Sequence, residues 1–147
     1  ILRNFLICFV LVIGTYIFFP NQFIFFPFLN FKLWLLIFFL YPLLSALPQE
    51  LIFRAFFFKR YSSLFKNKEI MILFNGIIFS IMHSIYLNVV IIILTFIAGI
   101  LFAKNYYCNK SIFLVTLEHS ILGNMIFSIG LGHFFYHGNI NYIYSIL

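Results

Sequence analysis

The sequence predicts an all-α fold, a polytopic bundle of transmembrane helices, on three observations. Apolar residues make up 65% of the chain and charged residues only 8%, far from the mix of a water-soluble domain. The apolar residues fall into five stretches near the length that a bilayer core demands. The basic residues gather in the connections between those stretches. With no repeat, linker or change of composition, residues 1–147 read as one transmembrane domain.

The stretches run Leu2–Phe19, Phe31–Phe58, Ile70–Ile85, Asn88–Ala103 and Ser111–Leu131. The first lacks a small-residue cleavage site and is followed by the loop-like Pro20-Asn-Gln, so it reads as a retained helix rather than a signal peptide. The chain opens on Ile1, as a piece trimmed from a longer protein would. The second stretch is too long for one straight helix, and Pro42 and Pro48 interrupt it. Pro48 suits the first turn of a new helix, which puts Gln49 and Glu50 in that turn, where the helix dipole favours negative charge. Turn chemistry at Pro27 and Asn30, at Lys66-Asn-Lys, and from Asn105 to Lys110 separates the others. Gly76 and Gly99 are expected to allow close helix packing.

If the five segments alternate, Arg3, Lys59, Arg60, Lys66, Lys68, Lys104 and Lys110 fall on one side and Lys32 on the other. The positive-inside rule makes the basic side cytoplasmic, in a multi-pass integral protein. The net charge of +6 then describes loops at a lipid surface, and no nucleic-acid partner is implied. Cys8 and Cys108 form neither a disulfide framework nor a metal motif.

Against this background Glu50 stands out. It is one of three acidic residues in a chain without aspartate, and it lies in the apolar run from Ser45 to Phe58. An ionised side chain in hydrocarbon is costly unless paired or wetted, and Arg54, one helical turn on, is its expected partner. The other ionisable residues inside apolar stretches are His83 in the third, and Glu118 and His119 in the fifth. At about 1.5 Å per residue, Glu50 lies roughly 14 Å in from Lys59, and His119 a similar distance in from Lys110, so the two can meet. His83 comes out deeper, roughly 20 Å from Ile70, a difference that helix tilt can absorb. Each group alone has a structural reading: an ion pair locking a helix, a histidine satisfied by its neighbours. Their coincidence on three helices points to a site.

The parts available narrow the chemistry. An aspartyl mechanism needs two aspartates, the zinc motif H-E-x-x-H is missing, and no Gly-x-Ser nucleophile is evident. A glutamate and imidazole that activate water remain, with other polar groups stabilising the oxyanion.

At these residues the sequence resembles a known family. Gln49-Glu50-Leu-Ile-Phe-Arg54 looks like the motif E-E-x-x-x-R, Phe79-Ser-Ile-Met-His83 matches F-x-x-x-H, and His119 looks like the third motif, over a protease-like core at about 45–132. Together they resemble the CAAX protease and bacteriocin-processing family, CPBP, of glutamate-dependent intramembrane endopeptidases. The resemblance implies hydrolysis of a peptide bond in a membrane-associated peptide or protein, in a bacterial cytoplasmic membrane. Glu50 and His83 would activate water, His119 would stabilise the oxyanion with help from Asn124, and Arg54 would orient Glu50, around a polar cavity opening to the cytoplasm. If a divalent metal such as zinc takes part, Glu50, His83 and His119 are the ligands implied.

Two positions depart from the family pattern. Gln49 stands where the family has its first glutamate, and Gly123 stands where it has an asparagine four residues after the histidine, with Asn124 following. An inactive membrane scaffold or bacteriocin-immunity protein, and a small transporter relaying ions through the same residues, are the alternatives. His133 and His137 have the spacing of helical metal ligands, but with Tyr136 and Tyr142 they read as an interfacial belt.

Overall fold

The computed structural model describes residues 2–23 and 25–135. His137, Tyr136 and Tyr142, read from the sequence as an interfacial belt, lie outside the described residues. The described residues form a helical bundle with no strand. Its principal elements are α1 (Leu2–Phe18), the short α2 (Phe25–Leu29), a long α3 (Phe31–Leu64), α4 (Lys68–Met82), α5 (Val89–Asn109) and α6 (Ile112–Ser128). By length and apolar composition, α3 and α5, together with α4 and its extension to Tyr86, can cross a membrane, while α1 and α6 are shorter apolar helices.

Side-chain caps set where these helices begin. Asn30 accepts from the Leu33 amide at 3.0 Å, Asn67 from Glu69 at 2.7 Å, Asn88 from Val90 at 2.8 Å and Ser111 from Leu114 at 3.3 Å. Each takes up an amide that the first helical turn leaves without a partner.

The structure corrects the sequence reading of α3. Pro48 does not start a new helix. The chain stays helical from Phe31 to Leu64, passing through a π-helical turn at Pro42–Ala46, an α turn at Leu47–Glu50 and a second π segment at Leu51–Phe56. Ala46, which would precede the new helix, is itself helical at φ −64°, ψ −50°, so Glu50 faces no exposed helix N-terminus. A proline removes one amide and crowds the carbonyl four residues back; the wider π turn relieves the crowding without breaking the helix. In hydrocarbon no water can satisfy a broken backbone, so the rewound helix is the cheaper solution.

Close approach of α4 and α5 shapes one wall of the bundle. A Cβ built on Gly99 would come within 3.0 Å of the Gly76 Cα, and one on Gly76 within 2.7 Å of Ile100. Glycine at both positions lets the backbones meet, as expected for small residues between membrane helices. Phe79, Phe102, Val115 and Leu122 form the apolar core beside that contact, and Phe57, Phe58, Met71 and Ala103 form a second cluster nearer the basic connections.

Candidate active site

Glu50 projects from the α turn between the two π segments of α3 and is fully buried, as is Arg54 one turn on. Its Oε1 accepts from His119 Nδ1 of α6 at 2.7 Å, and its Oε2 lies 3.0 Å from Arg54 Nε, an ion pair whose angle falls short of a hydrogen bond. Arg54 also donates from Nη1 to Asn75 Oδ1 at 2.5 Å, and Asn75 donates to the Phe53 carbonyl at 2.7 Å, which anchors the guanidinium to α4. The guanidinium lies 4.9 Å from the centre of the Phe79 ring and 5.8 Å from that of Phe102. Burial of this carboxylate is thus offset by a cation, an imidazole and aromatic faces.

His119 is held from all sides. Phe102 stacks on it with ring centres 4.6 Å apart, Phe79 meets it edge-on at 5.8 Å, and Tyr41 at 5.9 Å. With Nδ1 engaged by the carboxylate, Nε2 is its remaining ring nitrogen, and His119 lines a cavity of about 150 Å³. His83 lines the same cavity, and its Nδ1 lies 2.7 Å from the Phe79 carbonyl. A carbonyl only accepts, so Nδ1 carries the proton and Nε2 carries a lone pair. The Phe79 ring packs against both imidazoles, its centre 4.6 Å from that of His83 and 5.8 Å from that of His119.

Several expectations change here. His83 is not deep in a helix: α4 ends at Met82, and His83 caps it at φ −93°, ψ −2°. Glu50 and Arg54 do not line the cavity; they sit behind His119. Asn124 does not line it either, because its amide donates to the Phe38 carbonyl at 3.1 Å and ties α6 to α3. The cavity is bounded by Tyr41, Ser45 and Gln49 of α3, the C-terminal end of α4, the N-terminal two thirds of α5 and the C-terminal half of α6. Those portions lie toward the helix ends remote from Lys59, Lys66, Lys68 and Lys110. Tyr86 and Phe135, 5.5 Å apart, flank its far end.

Tyr41 carried no role in the sequence reading of the site, and Gln49 entered it only as a departure from the family motif. Tyr41 and Gln49 both line the cavity. Gln49 donates to Ser45 Oγ at 2.9 Å, while its buried Oε1 has no partner among the described residues. The oxygen is an acceptor awaiting a donor. No signal in a chain with nine tyrosines marks Tyr41 in advance.

The implied metal ligands do not converge as a set. Among the described residues no three His, Cys, Asp or Glu side chains are grouped to share an ion. Glu50 directs its oxygens at His119 and Arg54, leaving two imidazoles at the cavity.

The other buried glutamate, Glu118, belongs to a different cluster. Arg3 of α1 pairs with its Oε1, and Asn105 of α5 donates to its Oε2 at 2.5 Å. It joins three helices and does not touch the cavity.

Fold and site together define a polytopic helical membrane protein with an acid–base pair buried between its helices beside a cavity. A family model described as type II CAAX prenyl endopeptidase, Rce1-like, matches residues 31–126. The match covers well over half of the chain, and the chain belongs to this family of CAAX-type intramembrane proteases, in agreement with the resemblance read from the motifs. No curated protein and no solved structure matches it.

Proposed function

We propose that this protein is an intramembrane endopeptidase that hydrolyses a peptide bond near the prenylated C-terminus of a membrane-associated peptide or protein, with water as nucleophile. The observation that carries this reading is the 2.7 Å contact between Glu50 and His119, joining α3 to α6 behind a cavity that the imidazole faces. A carboxylate bound to one ring nitrogen fixes the tautomer and stabilises the imidazolium that forms when the other nitrogen takes a proton. The geometry favours His119 as base and Glu50 as its positioning residue, reversing the roles that the resemblance implied for the two. Arg54, 3.0 Å from its Oε2, holds Glu50 in place.

Water then binds within the cavity, donating one O–H to His119 Nε2 and the other to the Gln49 oxygen. Gln49 is no base, but as a fixed acceptor it orients the water's lone pair toward the carbonyl carbon. His119 removes one proton as the oxygen attacks and returns it to the departing amine. The basic connections are assigned to the cytoplasmic face. An Asn67→Cys variant should therefore resist impermeant thiol reagents added to intact cells, and labelling from outside would reverse that orientation.

The test uses the full chain purified in detergent and a quenched fluorogenic peptide bearing a prenylated cysteine near its C-terminus. Turnover by wild type and a loss on the order of 10⁴-fold in kcat for His119→Gln are expected. A His119→Gln variant as fast as wild type would remove the base from this account.

A further inference from the structure

Attack on a peptide carbonyl drives negative charge onto its oxygen, and a site sheltered from water needs a donor aimed there. The residues assigned so far leave that place empty. His119 and His83 each direct their Nδ1 proton away, to Glu50 and to the Phe79 carbonyl, and offer the cavity lone pairs. Arg54 is sealed off behind His119, and the Asn124 amide is bound to the Phe38 carbonyl. The Thr95 hydroxyl, also in the lining, donates to the Ile91 carbonyl at 2.7 Å.

Tyr41 differs from all of these. It lies in α3 just before the first π turn, lines the cavity, and its hydroxyl has no hydrogen-bond partner among the described residues. Edge contacts with His119 at 5.9 Å and Phe127 at 5.4 Å hold the ring. Gly123 makes the room it occupies: a Cβ built there would lie 2.4 Å from the hydroxyl oxygen and 2.3 Å from the ring's Cε1. Position 123 lies one helical turn after His119, on the same face of α6. The phenol thus stands where the side chain of residue 123 would project.

We propose that Tyr41 is a catalytic residue, its O–H donating a hydrogen bond to the oxyanion formed at the scissile carbonyl. The proposal rests on the hydrolytic reading above. In the step it serves, the water oxygen bonds to the carbonyl carbon while the carbonyl π pair moves onto oxygen. His119 takes the water proton, and Tyr41 keeps its own. Collapse re-forms the carbonyl and breaks the C–N bond, and the amine leaves with the proton from His119. A phenol suits the place because it carries an O–H donor on a ring that packing can hold still.

Tyr41→Phe is the test, since it retains the ring that packs on Gly123, His119 and Phe127 and removes only the donor. With the full chain in detergent and the fluorogenic prenylated peptide, kcat should fall about 10²–10³-fold with KM unchanged. A phosphonate analogue of the same peptide, carrying a fixed oxyanion, should bind Tyr41→Phe more weakly by a similar factor, while an uncleaved N-methyl amide analogue binds both proteins equally. Wild-type kcat and phosphonate affinity in Tyr41→Phe would overturn the role of Tyr41 and leave the protease reading standing. A wild-type protein that neither cleaves the peptide nor prefers the phosphonate would overturn both.

Discussion

Glu50 and Glu118 are both buried carboxylates on membrane helices, with 0% and 2% of their surface exposed, yet they are built for different tasks. Glu50 is bound to an imidazole that faces a cavity, and Glu118 to a guanidinium and an amide that face none. An imidazole exchanges protons near neutral pH, whereas arginine and asparagine do not. Burial of a carboxylate therefore marks cost and not function. The partner differs: one glutamate holds an imidazole, which the proposed mechanism uses as its proton acceptor, and the other braces α1 and α5 against α6.

Substitutions around the two carboxylates should pull them apart. The largest loss of stability is expected from Arg54→Ala, which leaves Glu50 buried without its cation and releases Asn75. Removing one partner of a buried pair costs about 3–5 kcal/mol. Thermal unfolding of the detergent-solubilised protein should show it, together with loss of turnover; a melting temperature equal to wild type would show that Arg54 does not support Glu50. Arg3→Ala should be milder. Arg3 is 44% exposed on its side-chain surface, and Asn105 still donates to Glu118, so a loss of about 1–3 kcal/mol is expected, with kcat per folded molecule unchanged. A kcat that falls with Arg3 would tie the strut to the chemistry. Gln49→Glu should have the smallest effect on folding, since the new carboxylate enters a cavity that already holds polar groups. Activity is expected to hold or rise up to roughly tenfold as a second base joins His119. Turnover that appears only in Gln49→Glu would identify the natural chain as a lapsed protease.

Much of this comparison was legible in the sequence. Apolar stretches gave the helical membrane fold, and counting residues inward from Lys59 and Lys110 brought Glu50 and His119 to one depth, where they meet at 2.7 Å. Glycines 76 and 99 were read as close-packing sites and are. The role of the prolines was not legible, because a break and a π turn leave the same mark in the chain while the membrane favours the second. Nothing in Phe-Ser-Ile-Met-His announces the helix end that His83 caps. Asn124 falls outside the cavity lining for a reason of geometry: one residue along a helix turns a side chain by about 100°, which directs Asn124 to the Phe38 carbonyl and leaves Gly123 open to Tyr41 from α3. Arg3 pairs with Glu118 across 115 positions, a contact that no local pattern records.

The central claim is that Glu50 acts through His119 while Glu118 acts only through packing. Glu50→Gln and Glu118→Gln change the same atoms in two settings, so kcat for the prenylated fluorogenic peptide, measured beside thermal stability for both variants, tests it most directly. The account predicts that Glu50→Gln remains folded and loses on the order of 10⁴-fold in kcat, since an amide cannot hold the imidazole in the right tautomer or stabilise its cation. Glu118→Gln should melt earlier and, while folded, turn over at the wild-type rate. Equal losses of kcat in the two variants, or a Glu50→Gln protein that cleaves as fast as wild type, would contradict it.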